Sequence, residues 1–140
     1  MGSEANKMNA RRWFEEVFSG GKLEVIPELV TAEYINHDTN APGGAWHGLE
    51  GANGLINTYR NPWPDVRFTV EDQIAEGDRV VTRWTAIGTH TAPFGQIPAT
   101  HKKVTVSGIN IKRLVNGKAV EEWVRFDMMG LLQQLGAIPE

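Results

Sequence analysis

The feature that most constrains the fold is a change of hydrophobic period near residue 65. Before this point apolar residues recur at helical spacing, and after it they alternate or form short β-rich runs. The β-rich runs cover residues 66–78, 79–90, 101–114 and 119–127. An Asn116-Gly117 pair between the last two is a strong signal for a tight hairpin. The second half of the chain is therefore predicted to be a series of antiparallel strands.

The first half predicts helices. The helical patterns, including one at the C-terminus, cover residues 5–19, 23–30, 49–59 and 128–135. Pro27 marks a kink or a late start of the second helix. Residues 33–38 (EYINHD) indicate a short extended segment, and residues 39–47 a loop. Helices followed by strands favour an α+β fold, in which a long sheet curls around the helices and leaves a pocket between the two layers.

Composition narrows the function classes. The 140 residues are expected to form one domain, with residues 1–5 outside the fold. The net charge of −3 and the lack of a basic run argue against nucleic acid. The absence of cysteine excludes disulfides and thiol chemistry. No apolar run suits a signal peptide or a membrane span, so a cytoplasmic protein without membrane contact is expected.

Asp127 stands in an apolar stretch, WVRFDMMGLL. One interpretation is that it caps the helix that follows, because Asp is a preferred N-cap residue. The other is chemical: apolar surroundings would disfavour the charged carboxylate and make it a proton-transfer group. Strand alternation places Trp123, Arg125 and Asp127 on one face, so Arg125 becomes a candidate for binding substrate beside it.

Other residues join Asp127 as candidates. His37 and His90 could donate a proton to a carbonyl oxygen, because histidine titrates near neutrality. Arg83 lies mid-strand, where it either faces the pocket with a carboxylate partner or points to solvent. Asp65 follows a proline turn, where turn stabilisation competes with a direct role. The candidate pocket walls are aromatic: Trp46, Trp63, Trp84 and Phe94.

Several stretches together resemble the SnoaL-like polyketide cyclase (ester cyclase) family. They are residues 77–100 and 116–136, together with YINHD, WHGLEG and WPDV upstream, so that the resemblance spans about residues 8–136. It implies a cone-shaped α+β barrel like that of nuclear transport factor 2. It also implies intramolecular aldol ring closure without a metal or organic cofactor. Asp127 matches the region of the family's acid/base aspartate, while His101 and Ala92 replace expected glycines.

Alternatives to a cyclase stay open. Related epoxide hydrolases place Arg and Asp two apart on a strand, but Arg83 is followed at that spacing by Thr85, although Tyr34-x-Asn36 resembles their water-holding pair. Hydroxylation of an anthracycline-type ring and non-catalytic binding of a small molecule are further possibilities. No HxH or HExxH spacing indicates a metal. Because the outer sheet face would be apolar, a homodimer or a higher homo-oligomer is expected.

Overall fold

Helical segments form at the predicted positions, with one irregularity. The computed structural model describes residues 2–139. Its helices are α1 (Ser3–Arg12), a π-helix that continues it (Trp13–Ser19), α2 (Ile26–Leu29), α3 (Gly48–Arg60) and α4 (Met128–Leu135), with 3₁₀ turns at Leu23–Val25 and Pro42–Gly44. Residues 3–5, which the sequence assigns to a segment outside the fold, are helical. Met1 belongs to the same assignment and lies outside the described residues.

The strands form a single six-stranded sheet. They are β1 (Val30–His37), β2 (Ala45–His47), β3 (Arg67–Glu76), β4 (Arg79–Thr89), β5 (Lys103–Val115) and β6 (Lys118–Phe126). Their order across the sheet is β2-β1-β6-β5-β4-β3. Bulges interrupt the register in the β3/β4 and β5/β6 pairs, and bulges increase local twist and bending. The predicted α+β class, with helices packed on a curved sheet, is confirmed.

The sheet is mixed rather than wholly antiparallel, which corrects one part of the prediction. β1 pairs with β6 in parallel, and Asn36 lies opposite Glu122 in this pair. β2, inside the predicted loop, pairs antiparallel with the end of β1. The sequence missed β2 because this strand is three residues long and follows Pro and Gly residues typical of a loop. It missed the pairing of β1 with β6 because α3 and the other strands separate the two in the chain. The partner residues on β6 lie more than eighty positions after those on β1, where no local turn signal can reveal the pairing.

The π-helix supplies a dense apolar face to the concave side of the sheet. Four of its seven residues are buried: Trp13, Phe14, Val17 and Phe18. The Phe18 ring lies 4.6 Å from that of Phe68 on β3, and the Phe14 ring lies 6.1 Å from that of Trp84 on β4. A π-turn is wider than an α-turn and is frequent at functional sites. The helical layer therefore closes one side of the barrel with aromatic rings.

The outer face of the sheet keeps some apolar side chains in solvent. Ile74 on β3 is 68% exposed and Ile109 on β5 is 47% exposed. These are the residues on which the expected homodimer depends, and the oligomeric state stays a prediction. Among residues 2–139, no helix has both the length and the apolar character to cross a membrane.

Candidate functional site

A cavity lies between the helical layer and the concave face of the sheet. The empty space between the two layers is about 710 Å³ when the solvent at its open mouth is included. Most of its wall is apolar, with rings from Trp13, Phe14, Trp63, Phe68, Trp84 and Phe126. Polar side chains reach it at Asn36, Asp38, Tyr59 and Asn110. The wall suits a flat, largely apolar molecule that makes few polar contacts.

Asp38 is the carboxylate on this wall. It directly follows β1 and is 2% exposed. Its Oδ2 accepts hydrogen bonds from Tyr59 Oη and Trp46 Nε1, both at 3.2 Å, and its Oδ1 accepts one from the Asn40 backbone N–H at 2.9 Å. Burial raises the pKa of Tyr59, and the neighbouring Asp38 charge raises it further. Tyr59 therefore stays protonated and donates to the carboxylate.

A second buried carboxylate, Glu122, lies behind the cavity wall. It is fully buried on β6 and accepts hydrogen bonds from Tyr34 Oη and Asn110 Nδ2, each at 2.6 Å. Burial, with a contribution from Glu122, raises the pKa of Tyr34, so this phenol also remains a donor. Asn110 in turn accepts from Trp84 Nε1 at 2.7 Å. Glu122 thus holds residues of three other strands in fixed orientations.

Lys112 supplies the positive charge that balances Glu122. Its Nζ lies 3.7 Å from Glu122 Oε1, and both side chains are at most 1% exposed. The ammonium also lies 4.7 Å from the centre of the Trp13 ring, a cation–π contact. Burial lowers the pKa of Lys112, and the attraction of Glu122 opposes that shift. The pair packs between the cavity aromatics and the sheet.

Asp127 lies outside the cavity. It is exposed and is the N-cap of α4, where its Oδ1 accepts from the Gly130 N–H at 2.9 Å. The apolar shell that the chemical interpretation requires does not surround it. The face of β6 that lines the cavity carries Val124 and Phe126, so the face that includes Trp123 and Arg125 is the outer one.

The two candidate histidines also lie outside the cavity. His37 is on the outer face of β1, where it stacks on Trp123 at 5.4 Å and contacts Glu121 at 2.7 Å. His37 is the largest contribution lowering the pKa of Glu121. His90 is buried behind Trp63, whose ring lies 5.1 Å away. Its Nδ1 accepts from the Thr100 N–H, and burial lowers its pKa.

The remaining predicted substrate-binding residues divide between wall and surface. Trp63 and Trp84 line the cavity, and Trp46 contacts it indirectly through Asp38. Phe94 packs against Trp63 with ring centres 5.0 Å apart. The charged candidates Asp65, Arg83 and Arg125 are exposed. Asp65 accepts from the Thr89 N–H, which lowers its pKa, and Arg83 pairs with Asp72 at 3.0 Å.

Sequence reasoning noted Tyr34 and Asn36 only as a pair that resembles the water-holding residues of epoxide hydrolases, and it gave no role to Asp38, Lys112 or Glu122. Tyr34, Asn36 and Asp38 follow one another at alternate positions within YINHD, so period-two spacing could have placed them on one face. Glu122 and Lys112 carry no such signal, because a lone charge on a strand usually faces solvent. Within residues 2–139, no group of three or more metal-ligating side chains could hold a metal ion.

The capping role of Asp127 predicts a specific stability pattern. Asp127→Ala should lower the free energy of unfolding by about 1 kcal/mol, because the Gly130 N–H loses its acceptor. Asp127→Asn should cost much less, since Asn is also a good N-cap residue. Urea denaturation followed by circular dichroism measures both. Equal losses for the two variants would contradict the capping role.

Comparison with known proteins gives a consistent result. Residues 8–135 match the family described as SnoaL-like polyketide cyclase. The aklanonic acid methyl ester cyclase DnrD of Streptomyces peucetius is 25% identical over 127 residues, which cover 86% of this chain and 84% of that relative. The aklanonic acid methyl ester cyclase DauD of Streptomyces sp. (strain C5) is also 25% identical over 127 residues, which cover 86% of this chain and 76% of that relative.

Solved structures show the same architecture. IdmH from Streptomyces antibioticus, proposed to be a polyketide cyclase, is 31% identical with a TM-score of 0.80, over 94% of this chain and 98% of that one. A proposed polyketide cyclase from Bacillus cereus is 30% identical with a TM-score of 0.79, over 96% of this chain and 82% of that one. The fold is thus shared with these solved structures.

Proposed function

Because this chain belongs to the SnoaL-like polyketide cyclase family, we propose that it closes a ring in a flat, polyketide-like molecule held in the cavity. The reaction is an intramolecular aldol addition driven by acid/base chemistry. The observation that carries the proposal is the Asp38 carboxylate, 2% exposed on the wall of a largely apolar cavity. A pocket for passive binding of an apolar ligand has no need of a buried carboxylate, which is costly to desolvate.

Asp38 is the proposed base. It removes a proton from a carbon that lies between two carbonyl groups, and the resulting enolate carbon bonds to a second carbonyl carbon of the same molecule. The alkoxide that forms takes the proton back from Asp38, so substrate and product are isomers. Such a carbon is already acidic, and a positioned carboxylate suffices to remove its proton. Three donors occupy Asp38, which leaves room at its roughly four lone-pair positions.

Glu122 fits the role of base less well than Asp38. Glu122 is enclosed by Tyr34, Asn110 and Lys112 and is absent from the cavity wall. A substrate carbon must come within hydrogen-bond reach of the base, which only Asp38 of the two permits. Glu122 instead fixes the orientations of the groups around it.

Two tryptophans of the wall are the proposed donors for the developing negative charge. Trp13 and Trp63 line the cavity, and neither indole N–H has a hydrogen-bond partner among residues 2–139. A buried donor without a partner is uncommon in folded proteins. A substrate carbonyl oxygen would satisfy such a group, and the interaction would strengthen as that oxygen gains charge during ring closure.

The proposal is tested with aklanonic acid methyl ester, the compound in the name of the Streptomyces relatives. Wild-type protein should convert it to a ring-closed isomer of the same mass, followed by liquid chromatography and NMR. Ala86→Phe places a ring in the cavity and should retain less than about a tenth of the turnover, because overpacking displaces the substrate. Thr85→Phe, one residue away on the outer face, is the matched control and should stay active.

Two results would count against a cyclase. If wild type and Ala86→Phe convert this ester and related 1,3-dicarbonyl polyketide esters equally slowly, the cavity has no catalytic role in ring closure. If wild type binds these esters without converting them, the protein is a small-molecule-binding module of the same fold.

A further inference from the structure

Asn36, a residue of the cavity wall, carries a buried hydrogen-bond acceptor that no protein donor uses. The residue lies on β1, is 1% exposed and lines the cavity wall. Its Nδ2 donates to Tyr34 Oη at 2.8 Å. Its Oδ1 has no hydrogen-bond partner among residues 2–139. Leaving a buried amide oxygen unpaired is costly, so a ligand in the cavity that donates a hydrogen bond to this atom would be bound more tightly.

The buried carboxylate behind the wall fixes which end of the amide is free. The Tyr34 hydroxyl hydrogen is committed to Glu122 Oε1 at 2.6 Å. The Tyr34 oxygen is left as an acceptor, and only the amide nitrogen of Asn36 can donate to it. A flipped amide would set two acceptors against each other. The hydrogen bonds from Asn36 to Tyr34 and from Tyr34 to Glu122 therefore orient the amide so that its oxygen points away from Tyr34.

Two other acceptors on the wall, Asn110 and Asp38, already have hydrogen-bond donors. Asn110 Oδ1 accepts from Trp84 Nε1, and Asp38 accepts from three donors. Asn36 Oδ1 is thus the acceptor among these side chains whose hydrogen-bonding capacity is entirely unused. A hydroxyl group on the ligand satisfies it, whereas a methyl ether at the same position offers no hydrogen and adds bulk.

We propose that Asn36 is a specificity-determining residue that selects ligands with a free hydroxyl at this wall and discriminates against their O-methylated forms. The proposal rests on the proposed function only in that a flat, apolar molecule occupies the cavity. If that hydroxyl group is O-methylated at all, the methylation should follow the reaction in this cavity, because the methylated compound would bind poorly.

The test compares 2-naphthol with 2-methoxynaphthalene, two flat probes that differ in this one group. Dissociation constants are measured by titration of the probe fluorescence. Wild type should bind 2-naphthol about tenfold more tightly, as expected when a buried acceptor gains or lacks its donor. Asn36→Leu, which keeps a similar size, should bring the ratio close to one by weakening 2-naphthol alone.

Two further variants separate this role from general packing. Tyr34→Phe removes the hydroxyl that orients the amide and should also reduce the ratio. Val106→Ala, elsewhere on the wall, should weaken both probes equally and leave the ratio unchanged. Circular dichroism and thermal melting establish that each variant is folded.

A wild-type ratio near one would overturn the proposal, even if neither variant at Tyr34 or Asn36 folds. An unchanged ratio in folded Asn36→Leu would overturn it as well. The result is independent of turnover: a protein that fails to close a ring can still show the ratio, and a working cyclase can lack it.

Discussion

Replacing Glu122 by Gln is expected to lower the free energy of unfolding by about 3–5 kcal/mol, among the largest effects of any single substitution in this chain. The amide leaves the Lys112 ammonium, 1% exposed, without a counter-charge. Lys112→Met should cost a similar amount for the opposite reason, because Glu122 then remains as a buried carboxylate without its cation. Urea denaturation at constant pH measures both losses.

The double variant Lys112→Met/Glu122→Gln provides the decisive comparison. Replacing both members of a buried pair is often nearly neutral, because the cost of desolvating two charges disappears together with their attraction. The double variant should therefore be more stable than either single variant. Their coupling free energy is the loss in the double variant minus the sum of the losses in the two single variants. As a control, Arg83→Met on the exposed Arg83–Asp72 pair should cost about 0–1 kcal/mol. Losses below about 1 kcal/mol in both buried single variants would contradict the ion pair.

Asp38→Asn is expected to reduce turnover of a true substrate by about 10²-fold or more, the usual scale for loss of a positioned acid/base group. Asn has nearly the same size, and its single oxygen can still accept from Tyr59 and Trp46. Its amide nitrogen then faces the Asn40 N–H, and the side chain takes up no proton at neutral pH. Binding of the substrate should change little, so the loss should appear in kcat rather than in KM. Steady-state kinetics on a substrate identified in the ring-closure assay measures the two constants.

Asp127→Asn is the matched control for Asp38→Asn. It makes the same chemical change at an exposed carboxylate that caps α4, and turnover should stay near that of wild type. The opposite result, a large loss for Asp127→Asn with an active Asp38→Asn variant, would return the catalytic role to the C-terminal aspartate and remove it from Asp38.

The sequence was sufficient for the helices, the four long strands and the presence of a pocket. These depend on apolar period and on local turn chemistry, such as the Asn116-Gly117 hairpin between β5 and β6. Trp63 and Trp84, two of the four aromatic residues proposed for the wall, do line the cavity, and their contact with substrate stays a prediction. The pairing of β1 with β6 was out of reach, because it depends on how the chain folds over α3 and on no local signal.

The candidate site was harder to predict because β6 carries apolar and charged residues on both faces. In EWVRF, Trp123 and Val124 are equally good core residues. If the alternation of inward and outward side chains is assigned one position too early or too late, the inner and outer faces of the strand are exchanged. The sequence interpretation chose the face of Trp123 and Asp127. The structure turns Val124 and Phe126 inward, and with them the one buried carboxylate of this strand, Glu122.

The parallel pairing of β1 with β6 also governs when the protein can become functional during its synthesis. Residues 30–37 leave the ribosome long before residues 118–126, their partners in the sheet. Until β6 emerges, Tyr34 lacks the carboxylate that orients it, and Lys112 has no counter-charge. Contacts so distant in sequence form slowly, and an incomplete chain exposes apolar surface meanwhile. The strand that completes the cavity wall is translated after the five other strands, so a nascent chain that stops before β6 has no assembled site.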